Sequence, residues 1–311
     1  MKGNYILQMQ NIEKSFSDNK VLNGISFDVG EGEILSIVGE NGAGKSTLMN
    51  ILFGMPVIHN TGGFKGKIFF NGEEVKIESP QKAMELGIGM VHQEFMLIPS
   101  FTVTENIKLN REITKATFLS KFAGKRFESL DTISMRKDSR EALNKVGMSI
   151  SEDALVDGMP VGYMQFVECA REIDKKNVKL IVFDEPTAVL TESEAHRLLE
   201  SMKYIASLGV AVIFISHKLD EVLSVSDRIV VMRDGELVNT LEKDKTSAIE
   251  LAELMVGRSI DANEIASPRK FDDADAILKV KGLKVFMPGE VVRGVDFNVH
   301  KGEIVGLAGL A

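Results

Sequence analysis

The sequence has little of what secreted, membrane-spanning or nucleic-acid-binding proteins need. It has one cysteine, Cys169, among 311 residues, which excludes an internal disulfide and fits a reducing compartment. Its apolar runs, such as 209–215, are too short to cross a bilayer, so a role at a membrane requires a partner. Positive charge is also scarce: 37 Lys and Arg against 45 Asp and Glu give a net charge of −8, and we expect no nucleic-acid partner.

What the sequence does have is apolar content and length. Hydrophobic residues make up 44% of the chain, which is enough to bury the core of one large or two ordinary domains. Three continuous apolar runs have the composition of buried parallel strands. They are residues 34–38, 180–183 and 212–215.

The rest of the pattern completes an α/β fold prediction. Apolar residues recur at helical spacing over 192–208, between the second and third apolar runs, so the core is predicted to be doubly wound. The dipeptides Asn71-Gly72 and Asp234-Gly235 predict hairpins, and therefore antiparallel strands. The polar stretch at about 94–176 is poor in strand patterns, and we expect it to be an inserted α-helical subdomain.

The opening of the chain is repeated near its end. Residues 24–34 are echoed by 294–304 at an offset of 270, and residues 7–12 match 278–283 one residue out of step. We therefore expect a first domain at 4–257, a linker at 258–276, and the truncated start of a second domain at 277–311.

A glycine-rich segment carries the strongest chemical signal. Residues 39–46 read Gly-Glu-Asn-Gly-Ala-Gly-Lys-Ser, which is the phosphate-loop pattern G-x-x-x-x-G-K-[ST], between a predicted strand and a predicted helix. In such a loop the backbone N–H groups converge on phosphate oxygens, Lys45 adds a full charge, and Ser46 offers a hydroxyl to Mg²⁺. The segment predicts binding of a nucleoside triphosphate.

Two carboxylates follow the second apolar run. Asp184 and Glu185 stand at the carboxyl end of a predicted parallel strand, where ligands bind in open sheets. Asp184 is predicted to hold Mg²⁺, and Glu185 to accept a proton from, or orient, the water that attacks the γ-phosphate. An Asp-Glu pair is also a common strand end, but the phosphate loop upstream favours the catalytic interpretation.

These motifs resemble, in order and context, those of the ATPases of ABC transporters. The resemblance runs from about residue 4 to 258. More narrowly, the chain resembles the tandem ATPase subunits of bacterial monosaccharide and nucleoside importers. The segments that carry this narrower resemblance are 40–48, 90–94, 184–191 and 255–258.

The resemblance implies a P-loop NTPase of the ABC ATPase type, with an antiparallel β subdomain and the helical insert. It implies that ATP and Mg²⁺ bind, and that ATP hydrolysis energises import of a simple sugar (ribose-, galactose- or xylose-like) or a nucleoside. The implied location is peripheral, at the cytoplasmic face of the cell membrane. The implied partners are membrane-spanning permease subunits, a solute-binding protein indirectly, and a second ATPase domain or another copy of this one.

Further site residues are implied by the resemblance alone. Phe16 would stack on adenine, Gln93 would contact Mg²⁺ or the attacking water and relay its state to the membrane partner, and His217 would contact the γ-phosphate. Each of these residues also has a simpler interpretation. Phe16 fits a core residue at a strand end, and Gln93 fits a surface amide. His217 fits a histidine at a strand end whose ring makes ordinary hydrogen bonds. The nucleotide-binding positions implied in addition are Gly39, Asn41, Gly42, Gly44, Lys45, Ser46, Thr47 and Gly162.

The sequence departs from the family pattern in two places. The Leu-Ser-Gly-Gly-Gln signature corresponds here to Met-Pro-Val-Gly-Tyr at 159–163. Pro160 has neither a hydroxyl nor an N–H and Tyr163 replaces an amide, so we expect weak hydrolysis by the isolated chain. Thr191 stands where many relatives have an aspartate. Because Thr191 and Glu194 form a capping-box pattern, we interpret them as the start of a helix.

Two other functions remain open on the sequence. One is a soluble tandem ABC ATPase that acts on ribosomes, which would call for basic surface or a long coiled-coil insertion, and the sequence has neither. The other is a nucleotide-gated module with little hydrolysis, which the altered signature favours.

Overall fold

The computed structural model describes residues 5–92, 95–117, 125–175, 177–259, 276–287 and 290–307. The chain divides into two compact units, Met1–Ser259 and Ile260–Ala311. The predicted linker at 258–276 falls almost entirely outside the described residues.

A six-stranded sheet forms the centre of the first unit. Its strand order is β12-β11-β3-β10-β9-β6, and every neighbouring pair is parallel except β11 with β12. The three predicted apolar runs are β3, β9 and β10, which lie side by side and confirm the buried parallel core. The strands are β3 (Ile34–Val38), β6 (Ile88–Val91), β9 (Leu180–Asp184), β10 (Ala211–Ile215), β11 (Arg228–Arg233) and β12 (Glu236–Glu242).

Alternate residues of the central strands contribute side chains to two hydrophobic clusters. On β3, Leu35 and Ile37 belong to one cluster, while Ile34 and Val38 belong to the other. All four are at most 3% exposed, and burying such side chains contributes about 1.5 to 3 kcal/mol each. Because both faces of the central strands β3, β9 and β10 are covered, polar groups of these strands can reach solvent only at the strand ends.

A second, antiparallel sheet has the order β2-β1-β4-β5. Both predicted hairpins are confirmed: Asn71-Gly72 joins β4 to β5, and Asp234-Gly235 joins β11 to β12. All four turn residues have positive φ, between 51° and 80°, as a two-residue type I′ turn requires. The strands of this sheet are β1 (Tyr5–Phe16), β2 (Asn19–Gly30), β4 (Lys65–Phe70) and β5 (Glu73–Val75).

The helix predicted at 192–208 is present as α7, Glu192–Ser207, and it begins at a full capping box formed by Thr191 and Glu194. The other described helices are α1 (Lys45–Leu52), α2 (Pro56–Asn60), α3 (Pro80–Leu86), α4 (Val103–Lys108), α5 (Thr132–Lys145), α6 (Val161–Ile173), α8 (Leu219–Val225) and α9 (Ala248–Val256). Short 3₁₀ helices occupy Lys125–Phe127 and Lys243–Lys245.

The stretch predicted as a helical insert contains α4, α5 and α6, which pack against one another. It also contains a pair of two-residue strands, β7 (Thr114–Lys115) and β8 (Ser129–Leu130). Their polar sequence did not predict strands, because two residues are too few to show an alternating pattern. No helix in the described residues of the chain combines the length and the apolarity needed to span a bilayer.

The second unit contains the hairpin β13 (Ala276–Met287) and β14 (Glu290–His300), which repeats the register of β1 and β2. The Glu33 carboxylate accepts the Gly30 N–H at 2.6 Å, and the Glu303 carboxylate accepts the His300 N–H at 2.7 Å. The sequence repeat is therefore a structural repeat. The matching cross-strand pairs are Leu7 with Val29 and Leu278 with Val299, Met9 with Phe27 and Val280 with Phe297, and Ile12 with Ile25 and Leu283 with Val295.

Candidate functional site

The loop at 39–44 connects β3 to α1 and packs tightly on its neighbours. Gly44 has a φ of 97°, and a Cβ added there would lie 2.6 Å from Cδ2 of Leu22 and 3.1 Å from the carbonyl oxygen of Val21. Gly42 also has a positive φ, 89°, but a Cβ there would meet open space. Glycine at 44 is therefore required by both the backbone conformation and the close approach of β2.

Lys45 is folded back across this loop. Its ammonium donates to the carbonyl oxygens of Gly39 at 2.8 Å and Glu40 at 3.0 Å, and the residue is only 7% exposed. Burial lowers the pKa of Lys45, and the negative charges of Glu185 and Asp184 oppose that shift. The ammonium and both carboxylates therefore share one electrostatic environment.

Other predicted residues of the loop lie around Lys45. Ser46 is in the first turn of α1 and is exposed, and Thr47 follows it with a partly buried side chain. Asn41 is exposed on the loop itself. The helix offers its unpaired N–H groups and the positive end of its dipole at the same place.

Asp184 is the last residue of β9 and lies opposite Ile215 of β10. Burial raises the pKa of Asp184, the neighbouring Glu185 raises it further, and Lys45 lowers it. The nearby lysine therefore does not fully offset the cost of ionising this carboxyl. A bound cation would reduce that cost.

Glu185 is held in an unusual backbone conformation. Its φ is 48°, in the left-handed region, and its N–H donates to the carbonyl oxygen of Ile215 at 2.9 Å. Its carboxylate Oε1 lies 3.3 Å from Nδ1 of His217, which follows β10. Because β9 and β10 are parallel neighbours, the residues that follow them meet at one edge of the sheet.

Three side chains missed by the sequence predictions fix the segment after Glu185. The Thr187 hydroxyl donates to Oε2 of Glu221 at 2.5 Å, and the Lys218 ammonium donates to the Thr187 carbonyl oxygen at 3.0 Å. Lys218 also pairs with Glu221 at 3.1 Å. The only sequence signal for these contacts was the spacing of three residues between Lys218 and Glu221 at the start of α8.

Phe16 lies at the end of β1, partly buried against the core, and the ammonium of Lys14 is 4.6 Å from the centroid of its ring. Gln93 lies outside the described residues. The preceding strand β6 ends at Val91, opposite Phe183 of β9, beside the strand that carries Asp184. The position of the Gln93 side chain therefore stays a prediction.

Gly162 is buried in the first turn of α6, whose N-cap is Pro160. A Cβ added at Gly162 would collide with the carboxylate of Glu194. The first turn of α6 therefore faces a negative charge, and it lacks an N–H at residue 160. Both features weaken the attraction of a helix N-terminus for an anion.

The donors at the site fit Mg²⁺ as bound together with a nucleotide. In proteins Mg²⁺ takes one or two side-chain oxygens and completes its shell with waters and phosphate oxygens. The structure has one such carboxylate in Asp184 and one hydroxyl in Ser46. No group of three or more His, Cys, Asp or Glu able to hold a metal alone occurs among the described residues.

Residues 22–188 match the protein family described as "ABC transporter". The chain is 39% identical over 312 residues to the Nucleoside import ATP-binding protein NupA of Lactococcus lactis subsp. cremoris, which covers 100% of this chain and 58% of that protein. It is 38% identical to the Ribose import ATP-binding protein RbsA of Caldanaerobacter subterraneus subsp. tengcongensis (98% and 57% covered) and to the Xylose import ATP-binding protein XylG of Photobacterium profundum (98% and 58% covered). The chain thus spans 57–58% of the length of these curated relatives.

Solved structures with a similar fold include the ADP conformation of MJ1267, an ATP-binding cassette of an ABC transporter. It has a TM-score of 0.65 and 26% identity, and the match covers 81% of this chain and 95% of that one. A nucleotide-free ATP-binding cassette from an ABC transporter has a TM-score of 0.66 and 26% identity, with 80% and 98% covered. These likenesses agree with the predicted phosphate-loop fold.

Proposed function

Because the chain belongs to the ABC transporter family, we propose that it binds ATP with Mg²⁺ at residues 39–47 and hydrolyses the ATP to energise import of a simple sugar or a nucleoside. The observation that carries the proposal is the placement of Lys45, which folds back over the glycine-rich loop after β3, and of Asp184, at the carboxyl end of β9 in the same sheet. The names of the relatives, which are import proteins for nucleosides, ribose and xylose, support the class of solute.

Each side chain of the site has a defined task in this proposal. Lys45 and the N–H groups of the loop bind the β- and γ-phosphate oxygens, and Phe16 stacks on the adenine base. Ser46 and Asp184, with Gln93, would hold Mg²⁺, which supplies positive charge against the phosphate oxygens. Glu185 orients the attacking water and accepts its proton, while His217 holds the γ-phosphate.

We propose permease subunits in the membrane as the direct partners, with a solute-binding protein acting through them. A cleft of about 1030 Å³ beside residue 92 supports a contact site for the permease. His92, which follows β6, lines this cleft, and β6 pairs with the strand that carries Asp184, so a partner there would be close to the proposed site of hydrolysis. Its lining combines apolar with charged side chains, among them Phe53, Met84, Met90, Met96, Arg111 and Arg171.

The altered signature supports an asymmetric pair of ATPase units. The first turn of α6 lacks one N–H donor at Pro160 and faces the Glu194 carboxylate, so it is a poor hydrogen-bond donor to the phosphate of an opposing unit. Hydrogen bonds to charged groups contribute about 1.5 to 3 kcal/mol each, so the loss is substantial. We propose that this chain alone binds ATP but hydrolyses it slowly, and that a second ATPase unit supplies the effective signature.

Calorimetric titration with Mg·ATP tests the binding site. Lys45→Ala should lower the affinity at least about tenfold, because the charged hydrogen bonds to phosphate are lost. Lys67→Ala removes an exposed lysine paired with Glu74 and should leave the affinity unchanged. Equal affinities of the wild-type and Lys45→Ala proteins would contradict the assignment of the loop.

Co-purification tests the partner. The proposal expects the chain to be recovered with a membrane permease, and a second ATPase unit should raise its rate of phosphate release. Recovery with ribosomes instead would favour a soluble ABC ATPase. Full turnover by the isolated chain would contradict the asymmetric pair.

A further inference from the structure

Lys14 is a charged residue buried inside the first unit. It is 2% exposed, and its ammonium lies within hydrogen-bond distance of four oxygens. These are the carbonyl oxygens of Ile58 at 3.2 Å, Thr61 at 2.9 Å and Gly63 at 2.7 Å, and the hydroxyl of Thr61 at 2.9 Å. All four are uncharged, and burial lowers the pKa of Lys14. A buried lysine held only by neutral oxygens is costly, so a specific use is expected.

The same ammonium contacts Phe16. It lies 4.6 Å from the centroid of the ring, within the range of a cation–π interaction. Lys14 and Phe16 are two residues apart on β1, so their side chains point to the same side of the strand. The ammonium therefore occupies one face of the ring, and a planar ligand has only the other face to stack on.

The oxygens that bind Lys14 belong to the chain that continues from the phosphate loop. The loop leads into α1, and α2 and its following turn, which supply all four oxygens, come directly after α1 and contact it. Lys14 thus connects the aromatic end of β1 to the structure that carries Lys45. A nucleotide has a limited span between its base and its phosphates, so a ring and a loop that bind it together must be held within that span.

We propose that Lys14 is a positioning residue for base recognition, which holds the Phe16 ring in place for stacking and fixes its separation from the phosphate loop. The inference rests on the proposed function, in which Phe16 stacks on adenine. It predicts that Lys14 affects the binding of the base and does not affect the binding of the phosphates.

The test compares two ligands of the full chain, Mg·ATP and magnesium tripolyphosphate, which has the phosphates without the base. Lys14→Met keeps most of the alkyl stem and removes the charge. It should lower the affinity for ATP about three- to tenfold and leave the affinity for tripolyphosphate unchanged. Phe16→Leu should show the same selectivity, and Lys14→Met in the Phe16→Leu background should cause no further loss of ATP affinity.

Each outcome decides between the two proposals. Equal losses for both ligands in Lys14→Met would show general damage and overturn the inference. A loss of ATP affinity in Phe16→Leu but not in Lys14→Met would overturn the inference and leave the proposed function standing. If the wild-type chain binds Mg·ATP no more tightly than magnesium tripolyphosphate, both the Phe16 assignment and the role of Lys14 would be overturned.

A second variant covers the case in which Lys14→Met does not fold. Thr61→Val, at an exposed residue, removes the hydroxyl that accepts from Lys14 and keeps the lysine itself. It should lower the affinity for ATP by a smaller factor, again without changing the affinity for tripolyphosphate. An unchanged affinity for ATP in Thr61→Val would count against the inference.

Discussion

The carboxylate of Glu185 lies 3.3 Å from Nδ1 of His217, although Glu185 must adopt a φ of 48° to reach that position. The other described non-glycine residues with positive φ are asparagines, an aspartate and a serine, whose short polar side chains tolerate this region better. For Glu185 the conformation costs about 1 to 2 kcal/mol. The parallel pairing of β9 with β10 maintains the strained turn, and strain of this kind is typical of functional sites.

Glu185→Gln tests the proposed base. The amide cannot accept a proton from water, so we expect single-turnover phosphate release to fall about 100-fold or more, while the affinity for ATP stays the same. Phosphate release with the protein in excess over ATP measures this even when steady turnover is slow. Glu192→Gln, an exposed glutamate at the start of α7, is the matched control and should not change the rate. Unchanged release by Glu185→Gln would mean that another group activates the water.

Asp184→Asn tests the electrostatic cost of the site. Because burial and Glu185 raise the pKa of Asp184 in the folded protein, its ionised form destabilises the fold. The protonated carboxyl avoids this cost. The stability that it contributes is complete below the ordinary aspartate pKa of about 3.9 and is lost as the pH rises through the raised value. In the absence of nucleotide, Asp184→Asn should therefore have a larger free energy of unfolding than the wild type at pH 7. The difference should vanish at acidic pH.

Urea unfolding at a series of pH values measures this difference. Asp157→Asn, at an exposed aspartate, should show no comparable gain. Adding Mg·ATP should reverse the order, since only the wild type keeps the carboxylate that we propose binds the metal. An Asp184→Asn protein that is less stable than the wild type at pH 7 would show that the pairing with Lys45 outweighs burial.

The parts of this structure that the sequence predicts are those encoded by neighbouring residues. The apolar run at 180–183 shows a buried strand, and Asp184 follows from where that strand ends. Lys14 is different. Its alternation with Ile12 and Phe16 places it on the inner side of β1, but the oxygens that bind it are 44 to 49 residues away and most belong to the backbone. Side-chain identity carries no information about such partners.

Arg228 is a second residue whose role depends on distant partners. Its guanidinium donates to Oε1 of Glu33 at 2.5 Å and to Oδ1 of Asp28 at 2.8 Å, and both carboxylates hold its pKa above the ordinary value. These contacts join β11 to β2 and to the turn before β3. The link therefore connects the two sheets of the first unit.

Arg228→Met should lower the free energy of unfolding by about 2 kcal/mol, because two partly buried carboxylates lose their partner. Arg136→Met is the matched control, since Arg136 forms an exposed pair with Asp153 and should contribute less than about 1 kcal/mol. Urea unfolding of both variants measures the difference. Equal losses would show that the link between the sheets adds nothing beyond a surface ion pair.

Alanine substitutions at Gly44 and Gly42 distinguish the effect of backbone conformation in the phosphate loop from the effect of the packing of the loop on β2. Both have positive φ, so alanine at either position costs about 1 kcal/mol in backbone strain. Only at Gly44 does the added Cβ also collide with Leu22 and approach the backbone of Val21, which moves the loop away from β2. Gly44→Ala should therefore lower the affinity for Mg·ATP at least about tenfold and lower the stability by more than about 2 kcal/mol. Gly42→Ala should lose only about 1 kcal/mol of stability and retain most of its affinity.

Titration calorimetry and urea unfolding of the two variants distinguish the effects. Equal losses at both positions would mean that backbone conformation alone, and not the packing of the loop on β2, determines the shape that binds phosphate.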